Sequence, residues 1–131
     1  MFKVYIIGAG QIGSRHLQAL KGVKTPLGIV VVDPSKESLG VAAQRYNQVP
    51  SGRLTHTVNY LQQVPNNQNV DLAIIATTSN IRAQIIRSLV KTNRVRYLIL
   101  EKLLLGLRLH VRQKIQCSNS FHKYSLVEYA V

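Results

Sequence analysis

One cysteine, Cys117, stands in 131 residues, and a lone thiol cannot build an internal disulfide framework. It fits a reducing compartment, so the expected location is the cytoplasm. Long apolar runs are also missing. The richest apolar stretch, Tyr97 to Leu109, is interrupted by Glu101 and Lys102, and no segment reads as a membrane span. No charged leader with a long apolar core precedes the first apolar run, so no signal peptide is expected. His16, His56, His110 and His122 show no metal-ligand spacing among themselves or with Cys117. No metal site is expected. Acidic residues are scarce, five against seventeen Lys and Arg, for a net charge of +12. The bases are scattered, and their closest approach to a cluster is Arg94 and Arg96. There is no basic helix face, no paired RNA-binding aromatics and no helix-turn-helix signal. Specific nucleic-acid binding is therefore not expected. A basic surface equally attracts anionic nucleotides and sugar phosphates.

What is present is a chain long enough for one domain with a real core. Hydrophobic residues make up 46% of it, and a mean hydropathy of +0.03 fits a soluble globular protein. Its organising stretch is the opening, Lys3 to Leu20, KVYIIGAGQIGSRHLQAL. Val4 to Ile7 is a short apolar run of the kind that forms a buried parallel strand. Gly8, Gly10 and Gly13 follow at G-x-G-x-x-G spacing, and Ile12, His16, Leu17 and Leu20 then recur with helical period. In a strand-turn-helix that holds a dinucleotide, the first glycine makes the tight turn and the second admits the pyrophosphate. The third allows helix and strand to pack closely. Free N–H groups of the helix's first turn would face the phosphates. Asp33 lies twenty residues beyond Gly13, at the end of a second apolar run. Its carboxylate would accept hydrogen bonds from the adenosine ribose. It would repel a 2′-phosphate by about 4 kcal/mol per unit charge before screening, which favours NAD over NADP. Asp33 can also serve as a turn or cap residue before Pro34, and the two roles are compatible.

Further along, Ile29 to Val32 reads as the second strand. Ser35 is an N-cap for a helix whose buried face is Leu39, Ala42, Ala43 and Tyr46. Leu54 to Val58 reads as a third strand, and Asn59 as the cap of a brief helix, Tyr60 to Val64. Val70 to Ala76 is a central strand, followed by the turn Thr77 to Asn80 and a helix marked by Ile81, Ile85, Ile86, Leu89 and Val90. Val95 to Leu100 is the fifth strand, with Glu101 and Lys102 at its end. Alternating strands and helices predict an α/β fold, a doubly wound parallel sheet of five or six strands in the order 3-2-1-4-5.

Four places resemble the N-terminal domain of the glucose-fructose oxidoreductase, inositol dehydrogenase and MocA family (Gfo/Idh/MocA). They are GAGQIGSRHLQAL from Gly8, VVDPS from Val31, AIIATTSNIRAQII from Ala73, and Glu101-Lys102. The resemblance implies a Rossmann-type NAD(P)-binding domain over residues 1–103 of a sugar, polyol or nucleotide-sugar oxidoreductase. Carried onto this sequence, Gly8, Ala9, Gly10, Gln11, Ile12 and Gly13 would hold the pyrophosphate, and Asp33 the ribose. Ala76, Thr77, Thr78 and Asn80, with Glu101, would serve the cofactor on the nicotinamide side. Lys102 would be the catalytic residue beside the reacting carbon. Three positions depart from the family pattern: Thr78 replaces a proline, Arg82 a common histidine, and Leu103 the proline after Glu-Lys. Some relatives near polysaccharide biosynthesis genes share such variants, so the resemblance implies a surface-polysaccharide sugar.

Residues 104–131 look foreign to that family. Leu103, Leu105, Leu107, Leu109 and Val111 alternate with other residues at a strand-like period of two. Gln113 to His122 is polar and patternless, and Tyr124 to Val131 is a short apolar segment. The tail reads as the result of a truncation or frame change near Leu104, or as a natural end that supplies a replacement strand. The expected partners are the dinucleotide and, in a full-length relative, a sugar or polyol substrate; homo-oligomerisation stays open. Catalysis by this chain alone is not expected. The alternative to an oxidoreductase domain is a non-enzymatic NAD-binding or sensory module.

Overall fold

The computed structural model describes residues 1–101 and, as backbone, 125–127. Among these residues nine elements follow in order: β1 (Phe2–Ile7), α1 (Gln11–Leu20), β2 (Leu27–Val32), α2 (Lys36–Gln48), β3 (Thr57–Leu61), β4 (Asn69–Ile75), α3 (Ser79–Thr92), β5 (Arg94–Leu100) and β6 (Ser125–Val127). The strands form one sheet in the order β3-β2-β1-β4-β5-β6. Every pairing is parallel. The predicted order 3-2-1-4-5 is therefore present, with β6 added beyond β5. Chain order reverses between β1 and β4, which is where open α/β sheets bind their ligands.

Two apolar layers sandwich the sheet. Val4, Ile6, Ile29, Val31 and Ile74 face Leu17 of α1 with Leu39 and Ala42 of α2. On the opposite face Tyr5, Ile7, Ala73, Ile75, Val95 and Leu98 pack with Leu89 of α3. Neighbouring β1 residues thus feed different layers, and a strand buried on both sides has to be apolar throughout. Burial pushes the Tyr5 phenol above its ordinary pKa.

Charged side chains fasten the helices. The buried Lys21 ammonium donates to the carbonyls of Tyr46 (2.8 Å) and Val49 (2.6 Å) at the end of α2. It also lies 4.4 Å from the centre of the Tyr46 ring. A cation is favourable at a helix C-terminus, where carbonyls are left without partners, and over an aromatic face. Ser35 caps α2 as expected, its hydroxyl accepting from the Ser38 N–H at 3.2 Å.

The third strand departs from expectation. It begins at Thr57 rather than Leu54, and Tyr60 and Leu61 belong to it instead of to a brief helix. Val58 and Tyr60 point inward while Thr57, Asn59 and Leu61 point outward. This period of two is satisfied by pairing with β2 from Gly28↔Thr57 to Val32↔Leu61. Pairing across the sheet decides the conformation of such a short apolar run, which local pattern leaves ambiguous. The start of β3 is held from outside it, because His56 Nδ1 accepts the Leu27 N–H at 3.3 Å. Of the C-terminal tail, Tyr97↔Ser125, Leu98↔Leu126 and Ile99↔Val127 define the β5–β6 pairing. Lys102 and the alternating segment from Leu103 to Val111 lie outside the described residues.

Candidate functional site

Four hydrogen bonds continue the sheet one residue past its strands. Asp33 N–H donates to Leu61 O (3.1 Å), Gly8 to Val32 O (2.8 Å), Ala76 to Ile7 O (2.8 Å) and Glu101 to Ile75 O (3.1 Å). Asp33, Gly8, Ala76 and Glu101 consequently stand in one row along the carboxyl edge. All four were singled out by sequence. Neighbouring strands lie about 4.8 Å apart, so the row from Asp33 to Glu101 runs about 14 Å. A carboxylate stands at each end, and the glycine-rich turn lies between them.

That turn separates the work of its three glycines. Gly8 has φ +103°, and a Cβ there would come within 2.8 Å of Ala76 O. At Gly13 a Cβ would fall 1.8 Å from Gly8 O. Both positions exclude side chains for reasons internal to the fold. Gly10 differs. Its φ is −67°, and no described heavy atom lies within 4 Å of a Cβ placed there. The fold does not demand a glycine at this exposed position, and it lines the cleft.

Gly10 is also the N-cap of α1, accepting at its carbonyl from the Ser14 N–H at 2.9 Å. It supplies no capping side chain, and the helix has no acid in its first turn. The N–H groups of Gln11, Ile12 and Gly13 therefore lack intrahelical acceptors, and the positive end of the helix dipole lies beside Gly10. Gln11 and Ile12 are exposed. The turn is braced from behind, since buried Ser14 donates to Ala9 O at 3.2 Å and receives Arg45 Nη1 at 3.3 Å.

Asp33 is fixed by backbone donors. Its Oδ2 accepts from Ala9 N–H at 2.8 Å and its Oδ1 from Ser35 N–H at 2.8 Å. Two ionised oxygens offer about four acceptor positions, so the carboxylate keeps capacity for a ligand. The turn role and the ligand role weighed for Asp33 thus use different lone pairs.

A cleft of about 510 Å³ opens along this edge, a size in the range of small-molecule sites. Of the predicted residues, Gly8, Gly10, Asp33, Ala76, Thr77 and Thr78 line it. Ala9, Gln11, Ile12, Gly13, Asn80 and Glu101 do not line this volume. Sequence reasoning missed Gln62, Gln63 and Val64 after β3, and Ile81 and Ile85 on α3. The misread end of β3 hid the first group. The helical period of Ile81 and Ile85 is visible in the sequence, but it marks only a helix and does not say what that helix faces.

The far side of the cleft is less completely satisfied. Thr78 donates its hydroxyl to Asn80 Oδ1 at 2.6 Å, and Thr78 as N-cap gives α3 no side-chain cap bond. Arg82, only 8% exposed, donates from Nη2 to Thr77 O at 2.9 Å. Its Nε and the buried Thr77 hydroxyl have no partner among the described residues. Glu101 meets His16 of α1 through Oε1 and Nε2. No group of three potential metal ligands occurs among the described residues.

A parallel sheet with this reversal, a glycine-rich turn entering an uncapped helix and an acid ending β2 define a Rossmann-type dinucleotide-binding domain. Residues 2–105 match the model of an oxidoreductase family with an NAD-binding Rossmann fold. The chain belongs to that family, Gfo/Idh/MocA. A search of curated proteins found no match. Among the described residues, no helix is long and apolar enough to cross a membrane.

Proposed function

We propose that the chain is the dinucleotide-binding part of an oxidoreductase that prefers NAD to NADP and serves the oxidation or reduction of a sugar, polyol or nucleotide sugar. The observation carrying this reading is Gly10. It is the glycine of the motif that the fold leaves free, and it sits between an uncapped helix N-terminus and Asp33. A pyrophosphate beside Gly10 would meet the first-turn N–H groups of α1 without a side chain in the way. Asp33 would receive the hydroxyls of the adenosine ribose on its remaining lone pairs. A 2′-phosphate would instead face a carboxylate already held in place by two backbone donors.

A bound nicotinamide would supply or accept the hydride. The chain's part is to lay the cofactor along the strand ends, with the adenosine towards β2 and the other half towards β4 and β5. Thr77 and Thr78 would line that second half, and Lys102, the residue after Glu101 in sequence, would serve the substrate hydroxyl as the family implies. As an ammonium, Lys102 would orient that hydroxyl and ease its proton movement. The sugar class rests on the family and on the Glu101-Lys102 pair.

Calorimetric titration of the full chain with NAD and NADP tests the reading. NAD should bind more tightly, and Asp33→Ala should narrow the gap. Equal or tighter binding of NADP by the wild-type chain would remove Asp33 from its selective role.

A further inference from the structure

Glu101 ends the row opposite Asp33, yet among the described residues no backbone donor orients its carboxylate. The donor is His16, on α1, 85 positions away in sequence. The contact is partly shielded, the two side chains being 29% and 18% exposed. A carboxylate only accepts, so Nε2 of His16 carries the hydrogen in this bond. Among the described residues Oε1 alone is engaged, and none donates to Oε2. Glu101 N–H is meanwhile fixed to Ile75 O at 3.1 Å. The backbone of Glu101 is thus set by the sheet, and its side chain by the helix that starts at Gly10.

We infer that His16 is a positioning residue: it holds the Glu101 carboxylate at the β5 end of the row so that Oε2, which no described residue engages, meets the ribose of the nicotinamide half. This rests on the dinucleotide reading above. The chemistry follows from what each group has left. Asp33 at one end keeps lone pairs for the adenosine ribose after satisfying two backbone N–H groups. Glu101 at the other end satisfies His16 with Oε1, and no described residue takes up Oε2. Because α1 carries both the phosphate-facing first turn and His16, one rigid helix sets pyrophosphate and far ribose in a common frame. Without His16 the glutamate side chain would rotate freely into solvent, and its ordering would fall on the ligand.

The test compares NADH with ADP, which fills the adenosine and pyrophosphate positions and lacks the far half. Titrations use the full chain and His16→Ala, His16→Gln, Glu101→Ala and the His16→Ala/Glu101→Ala pair. His16→Ala and Glu101→Ala should each weaken NADH about tenfold, the worth of one charge-assisted hydrogen bond. ADP should be unaffected. His16→Gln, which keeps an N–H near the Nε2 position, should restore most of the loss. The double variant should lose no more than either single one. In the ligand-free chain, the imidazole 15N spectrum should show His16 protonated at Nε2 and should change in Glu101→Ala. Equal losses for NADH and ADP, additive losses, or no rescue by glutamine would overturn the positioning role. A ring spectrum indifferent to Glu101 would overturn the contact itself. If the spectrum responds but the wild-type chain binds neither nucleotide, the dinucleotide reading falls and the positioning role with it.

Discussion

The two ends of the row along the carboxyl edge are built on different principles. At the β2 end, Asp33 is held by the N–H groups of Ala9 and Ser35, both set by local turns. At the β5 end, Glu101 is held by one side chain brought from α1, while nearby Thr77 and Arg82 each leave a buried polar atom without a described partner. Backbone donors come with the fold and survive most substitutions. A side-chain donor can be deleted by one change. The β2 end is thus a fixture of the Rossmann turn, and the β5 end is where this chain's own residue choices set the geometry.

The largest expected effect separates fold from ligand within the glycine motif. Gly13→Ala forces a Cβ into Gly8 O at 1.8 Å and should cost about 3 kcal/mol or more. Chemical denaturation measures it. Gly10→Ala should change stability by less than about 1 kcal/mol, the scale of an N-cap change. Comparable losses at both positions would erase the division between structural and ligand-facing glycines.

Next in size is Gly10→Val, with NAD affinity expected to fall about 10- to 100-fold because the side chain occupies the phosphate's space. Its melting temperature should stay near that of Gly10→Ala. Binding retained at wild-type strength would place the ligand elsewhere.

Asp33→Ala strips acceptors from Ala9 and Ser35 and should destabilise the chain by about 1–3 kcal/mol. The same variant should lose its preference for NAD. A stability loss with preference intact would make Asp33 a turn residue alone.

Thr77→Val is the smallest. The hydroxyl has no described partner, so a substitution of the same shape should be neutral or slightly stabilising, within about 0.5 kcal/mol. A clear loss would show that the far end of the cleft is better satisfied than its hydrogen bonds indicate.

The same contrast governs what could be read from the sequence. From Val4 through Leu20, strand pattern, turn chemistry and helix period agree, so local preference and final structure coincide. Ser35 and Asp33 act on residues two or three positions away, and sequence pattern carries such relations. The boundary of β3 was not legible, because Leu54 resembles a strand residue and only pairing with β2 selects Thr57–Leu61. The His16–Glu101 contact was not legible either. His16 appeared only as part of a helical face, and its partner is chosen by the order of strands in the sheet. Nor does composition reveal that Lys21 and Arg45 spend their charge inside the fold, on helix carbonyls and on Ser14.

The central claim is that a dinucleotide lies along the row from Asp33 to Glu101, over Gly10. Backbone amide NMR during a titration with NAD tests it residue by residue. The largest shifts should fall on Gly10, Gln11, Ile12 and Gly13, with further changes at Asp33 and Ser35 and at Ala76, Thr77 and Glu101. Saturable binding whose shifts bypass the first turn of α1, or no shifts at millimolar NAD, would contradict the account.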